Sequence, residues 1–399
     1  MRANSRSHAD YPEPEGTLMP RVPYFRLSGF YLFYFASLGA LVPFWSLYLE
    51  HLGFGKVEIG QLIAFLMAPK IFAPYLWGWF ADHSQRRISV IRYAALGAAL
   101  SFSGTLWVTG YLPLALVTGL FGFFWHAALP QFEAVTMDHL GSEVHHYSRI
   151  RVWGSIGFIL VVMGLPWLLA GQEIAYLPHL VLVLLALIFV TTLGMRDFPR
   201  GEVDAPVPVS SVLRRVDVLT LLVVSLLQLI SHGPYYTFFT IYLQDHGYSL
   251  SLAGELWALG VAAEVVLFLF MHRLLLRFDA ARLLQVSILI TVLRWLLIAL
   301  FADEIMALLV AQLMHAASYG LFHASAIHMV YRMFPGRLQG RGQALYASFS
   351  FGLGGALGAF YSGYVWEAWG ASWSFGLAAL IALLAFIISL AGLRRHQGS

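Results

Sequence analysis

Apolar residues in this chain come in long unbroken blocks, not in the short alternating stretches of a water-soluble fold. Blocks long enough to cross a bilayer fall at 27–49, 58–81, 88–109, 112–138, 147–170 and 176–195. A second set falls at 217–243, 252–276, 281–301, 305–333, 342–367 and 370–392. Each holds roughly 20 residues or more, the length that a hydrocarbon core of ~30 Å demands of a helix. Between the sets runs the longest polar stretch after the N-terminal tail, from Arg196 to Asp217, with Asp197, Pro199, Arg200, Glu202, Asp204, Pro206 and Pro208. The pattern predicts an all-α membrane protein of twelve transmembrane helices in two pseudo-symmetric six-helix bundles. Its expected parts are a tail at 1–26, a bundle at 27–195, a linker at 196–216, a bundle at 217–392 and a tail at 393–399.

The two halves share a repeat. YLEHLGFGKVEIGQLIAFLMAPK, from Tyr48 to Lys70, lies over YLQDHGYSLSLAGELWALGVAAE, from Tyr242 to Glu264, without a gap. Tyr48, Gly53 and Gly60 fall on Tyr242, Gly247 and Gly254. A weaker match sets FWHAALP over LFHASAI and aligns His126 with His323. Parallel repeats of six spans, with a substrate site at their interface, are a recurrent transporter design.

Charge adds orientation. Arg86, Arg87, Arg149, Arg196, Arg200, Arg214, Arg215, Arg273, Arg277, Arg282, Arg332, Arg337, Arg341, Arg394 and Arg395 sit in alternate loops or near the termini. The opposite loops carry only Lys56. Basic loops stay cytoplasmic, so both termini are expected there, in a multi-pass protein of a bacterial inner membrane. Met1 to Arg21 has no apolar core and reads as a cytoplasmic tail, not a signal peptide. With 59% hydrophobic and 11% charged residues, against roughly a quarter charged in soluble domains, the bilayer is the expected solvent. A pI near 9.0 does not point to nucleic acid, because the net charge is only +3 and is scattered over short loops. Without cysteine, disulfides and thiolate chemistry are excluded.

Ionisable groups within spans are costly and tend to mark a pathway. They are Lys70, Glu133, Arg151, Glu264, Arg294 and the histidines His126, His232, His315, His323 and His328. Each also has a bland reading, as a helix-end side chain reaching the interface or a helix–helix hydrogen bonder. His126 and Glu133 are seven apart on one face, with Pro130 between. Gln228, His232, Tyr235 and Tyr236 form an i, i+4, i+7, i+8 stripe suited to a ring with a polar tip. Lys70 and Glu264, equivalent in the repeat, are expected at similar depth in the central cavity, where the two opposite charges attract each other or each awaits a substrate charge. Three cations (Lys70, Arg151, Arg294) against two acids (Glu133, Glu264) leave one positive charge, which an anion travelling with a proton would balance. Gly78, Asp82, Arg86 and Arg87 form G-x-x-x-D-x-x-x-R-R at the end of the second span. The acid is expected to accept from a neighbouring helix N-terminus and to pair with the arginines, setting conformation. No phosphate loop, H-E-x-x-H or dinucleotide fingerprint is present, so no enzyme, cofactor or metal is expected. The glycines 352, 354, 355 and 358 read as close helix packing.

Taken together, the twelve spans, the central loop and the G-x-x-x-D-x-x-x-R-R motif resemble the major facilitator superfamily over the whole chain. Within it, ALGVAAEVVLF, LRW, QLMHAASYGLFHASAIHMVY and YSRIRVWGS resemble the 3-phenylpropionate permease family, and more distantly the lactose permease group. That second resemblance implies a substrate pair at Glu133 and Arg151, eighteen residues apart. It also implies a proton-linked arginine at Arg294 and a histidine at His315. The group's proton-carrying glutamate falls on Ser318 here, so Glu264 becomes the candidate carrier, with His315 or Glu133 next. The expected function is a monomeric, proton-coupled symporter importing a small organic solute such as an aromatic carboxylate. Its partners would be that solute, protons and lipid. The alternatives are an efflux pump for amphipathic compounds, a sugar or nucleoside symporter and, from another class, an intramembrane enzyme or a sensor.

Overall fold

A computed structural model describes residues 23–169, 174–195, 197 and 210–393. Most of the expected tails and linker lie outside those residues. Among them the chain forms twelve helical rods: α1 (Tyr24–His51), α2 (Lys56–Ser84), α3 (Arg87–Ser103), α4 (Tyr111–Leu140), α5 (Tyr147–Leu168) and α6 (Leu177–Thr192). The second half adds α7 (Val216–Asp245), α8 (Leu250–Arg277), α9 (Ala280–Leu300), α10 (Ile305–Met333), α11 (339–369) and α12 (Ala371–Gly392). Ten of the rods are long and apolar enough to cross a membrane. The other two, α3 with Arg92 inside it and α11 with Gln339, Arg341 and Gln343 in its first turns, pack among the ten. Arg92 has a task of its own: its guanidinium donates to the Thr192 and Met195 carbonyls, the latter at 2.7 Å, and so closes the C-terminal end of α6.

Four rods are irregular near their middle. α2 tightens to a 3₁₀ turn at Ala68–Ile71, where Pro69 offers no N–H. α7 is interrupted at His232, just before Pro234. α10 and α11 widen to π-helix at Ala316–Leu321 and Ser348–Gly354. Non-helical backbone at membrane depth is tolerated where protein or a wet cavity surrounds it, so these segments mark the interior.

The halves meet along two seams, α2 against α11 and α5 against α8, with α1 against α7 between them. Exchanging the halves carries one seam into the other, and the repeat-related glycines sit on both. A Cβ at Gly60 would lie 2.7 Å from the Ala359 carbonyl oxygen, and one at Gly254 would run into the Val162 carbonyl. Only glycine permits backbones so close. Both contacts lie toward the end bearing the α1–α2 and α7–α8 turns, which is therefore sealed. At the opposite, arginine-rich end, the second part of α2 (Ala73–Ser84) and that of α10 (Phe322–Met333) pack on rods of their own half. The cleft between the halves opens at that end.

Replacing Gly254 by Val is expected to force the α5–α8 seam apart. Spin labels on His51→Cys and Trp369→Cys, both exposed at the sealed end, should report a longer inter-half distance. An unchanged distance would show that the seam does not depend on glycine.

Candidate functional site

Facing the cleft from the first half are Glu133 on α4 and Arg151 on α5. Arg151 Nε lies 4.0 Å from Glu133 Oε1, and the two side chains are 31% and 43% exposed. Tyr147, one turn before Arg151, is within hydrogen-bonding reach of Glu133. The guanidinium is steadied by rings as much as by the acid, standing 4.0 Å from the Phe35 centroid and 5.4 Å from that of Tyr31. From the second half, Glu264 on α8 lies with its Oε2 3.8 Å from His315 Nε2 on α10. Its stem packs against Gly320, within the π-turn. Arg151 acts electrostatically across the cleft on Glu264, Tyr319 and His323. His315, Tyr319 and His323 form a ladder of near-parallel rings, at 5.4 and 6.2 Å. Its last ring reaches the Tyr346 hydroxyl at 3.3 Å.

Lys70 does not meet Glu264. Its ammonium lies 5.0 Å from the Phe351 ring on α11, within electrostatic range of His126 and His323, and no acid pairs with it among the described residues. The reason is the seam geometry: α2 packs on α11 and α8 on α5, so equivalent positions of the repeat face opposite sides of the cleft. Ser348 on α11 donates to the Ile71 carbonyl at 2.8 Å, tying the π-turn of one half to the 3₁₀ turn of the other.

Arg294 leaves the expected charge count. It is fully buried inside the second half, donating to the Ala311 carbonyl at 2.8 Å, Ser318 Oγ at 3.2 Å and Gln312 Oε1 at 3.4 Å. The Tyr235 and Trp295 rings flank it at 4.2 and 4.6 Å. The cleft therefore holds two cations and two acids, balanced when both acids are ionised. The polar stripe of α7 divides likewise. Gln228 donates to Thr291 and the Ser318 carbonyl, His232 Nδ1 to its own Gln228 carbonyl, and Tyr235 to Gln312. These three are knitted into the half. Tyr236 is only partly buried, near Tyr319 and Trp257. His126 donates from Nε2 to the Leu66 carbonyl at 3.1 Å, on the turn that Pro69 disturbs.

At the arginine-rich end, Asp82 accepts from Arg87 at 2.5 Å. The expected helix-start contact goes instead to Asp197, which accepts from the Ile88 N–H of α3. Gly78 lies against Gln131 of α4, and Arg86 is exposed. No group of three or more His, Asp or Glu able to hold a metal occurs among the described residues. The side chains that sequence reading passed over are Tyr31, Phe35, Tyr147, Tyr319 and Phe351. Aromatic residues are too common in these spans to be singled out, although Tyr147 and Arg151 share an i, i+4 face.

Residues 24–377 match the model of the MFS_1 like family. The chain is 27% identical over 366 residues to a probable 3-phenylpropionic acid transporter of Escherichia coli (strain K12), covering 88% of this chain and 94% of that one. It is 28% identical over 382 residues to a maltose permease of Geobacillus stearothermophilus, covering 92% and 95%. Among solved structures it resembles a point mutant of the nucleoside transporter NupG, with a TM-score of 0.83 at 18% identity over 93% of this chain and 100% of that one. A bacterial homologue of the lysosomal transporter Spinster, inward-facing and unoccupied, gives 0.72 at 13% identity, over 95% and 100%. At these identities the structures speak to the fold alone.

Arg294→Gln is expected to act on stability before recognition, because it strips a fully buried network of its donors and of its stacked cation. The thermal midpoint of the purified protein should fall by several degrees. A variant of unchanged midpoint that loses ligand binding would return Arg294 to the cleft.

Proposed function

This chain belongs to the MFS_1 like family, and we propose that it is a proton-coupled symporter importing a small organic anion, such as an aromatic carboxylate. It is a multi-span membrane transporter and not an enzyme. In this reading the two bundles, 27–195 and 217–392, rock about a midplane site. The arginine-rich loops are cytoplasmic, so the open end faces the cytoplasm. Asp82 and Arg87 hold α2 and the start of α3 together and act on conformation, away from the ligand.

The observation that carries the proposal is the distribution of charge. Among the described residues Arg151 has Glu133 beside it, Glu264 has only a histidine, and Lys70 has no acid. With both acids ionised the cleft is neutral, and an entering anion would leave a net negative charge in a low-dielectric site. A proton on Glu264 removes one negative charge and leaves Lys70 uncompensated. An organic carboxylate then restores neutrality at Lys70. Neither proton nor anion is stable in the cleft without the other, and that mutual dependence is symport. Tyr236, Tyr319 and Phe351 offer ring faces to the apolar part of the solute. The names of the relatives fit this range: one is a probable carrier of 3-phenylpropionic acid.

A second reading, sugar or nucleoside symport, draws on the Glu133–Arg151 pair beside Phe35, since a half-exposed carboxylate and guanidinium over a ring can grip hydroxyls. One related chain is a maltose permease and a matching fold is a nucleoside transporter.

Two changes separate these readings. Glu264→Gln should abolish proton-driven accumulation of 3-phenylpropionate in proteoliposomes while leaving exchange across the membrane intact. Accumulation against a gradient by this variant would remove Glu264 from coupling. Lys70→Gln should weaken binding of the acid at least about tenfold, roughly 1.4 kcal/mol, with little change for the neutral amide. Equal loss for both ligands would exclude charge recognition at Lys70. Stabilisation by maltose or a nucleoside, but by no carboxylate, would favour the second reading.

A further inference from the structure

The two seams that seal the outer end are related by the repeat but are not built alike. At the α5–α8 seam, α8 is capped from within its own chain segment: Ser249 accepts from the Leu252 N–H at 3.2 Å. At the α2–α11 seam, the residue before α2 is Gly55, which has no side chain with which to cap. Its place is taken by two carboxylates. Glu58 accepts from the Gly55 N–H at 3.0 Å, within the same turn. Glu367, at the end of α11 in the other half, accepts from the Val57 N–H at 3.2 Å. One turn along, Gln61 donates to the Tyr364 hydroxyl at 2.8 Å and accepts from Tyr111 at 2.6 Å. Glu367, Tyr364, Gly363 and Ala359 thus meet Val57, Gly60 and Gln61 in register, polar toward the outside and glycine-packed within.

A carboxylate at a helix start satisfies an orphan N–H and favours the positive end of the dipole. Here that stabilisation crosses between the halves, so it exists only while α2 and α11 are together. We propose that Glu367 is a positioning residue for transport, a latch that holds the outer end shut by capping α2 from the opposite half. When the halves rock to open that end, α2 loses this cap and Gln61 loses Tyr364, whereas the cap of α8 travels with its own helix. Opening therefore begins at the α2–α11 seam, and the strength of the Glu367 cap sets how often the carrier faces outward.

The chain has no cysteine, so single introduced cysteines can report each end. Ala359→Cys, on the buried face toward α2, reads the sealed end. Tyr75→Cys, exposed and within hydrogen-bonding reach of Ser348 on the opposite half, reads the open one. In liposomes, adding Glu367→Ala should raise maleimide labelling of the first reporter roughly fivefold, the population change expected from losing a typical helix cap, and lower that of the second. Val57→Pro removes the donor instead of the acceptor at a first-turn position that tolerates proline, and it should produce the same opposed shifts should the alanine variant not fold. Unchanged labelling of the first reporter would overturn the proposal. So would a rise at both ends together, which is the mark of general loosening and not of a shifted equilibrium.

Discussion

A charge at the middle of a bilayer persists only if something beside it answers that charge. Four ionisable groups within the described spans can be placed by what answers them. Arg294 is answered by a carbonyl, two side-chain oxygens and two ring faces, all from its own half, so it needs no ligand. Arg151 is answered by Glu133 and by Phe35. Glu264 has His315. Among the described residues, Lys70 has a ring and no acid. The least compensated cation and the acid without an arginine or lysine lie on opposite sides of one cleft. In the symport proposed above, that asymmetry is the physical source of the coupling between proton and anion.

Movement follows from the backbone. The irregular turns of α2, α7, α10 and α11 gather at the depth of these charges. They release regular helix geometry where side chains must reach inward. Above them, glycine lets the two halves touch backbone to backbone at Gly60 and Gly254. Below them, the halves part. A contact surface built from glycine and a few polar links closes tightly yet buries little side-chain volume, which suits a seam that must open and re-form.

Much of this could be read from the chain. The apolar blocks located the rods to within a few residues, because hydrocarbon thickness leaves few other lengths open. The repeat set Gly60 and Gly254 at equivalent positions, and the structure places one on each of two equivalent seams. For Lys70 and Glu264 the repeat left two readings open, a mutual pair or two charges that each await a substrate: equivalence under a two-fold axis gives equal depth but opposite sides, and sequence carries depth without azimuth. Arg294 misled for a related reason. An arginine within a span signals a wet pathway only if no local carbonyls and rings receive it, and apart from the adjacent Trp295 those partners come from other helices, α7 and α10. Glu367 could not be found from sequence, since nothing near Gly55 says that its cap comes from more than three hundred residues away.

The central claim, that anion and proton enter the cleft as a pair, is tested most directly by counting protons on ligand binding. Purified protein in weakly buffered detergent solution at neutral pH is titrated with 3-phenylpropionate while a pH indicator follows free protons. The charge balance of the cleft requires about one proton taken up per anion bound, and none for the neutral amide. Binding of the acid with no proton uptake would contradict it, and so would equal uptake with the amide.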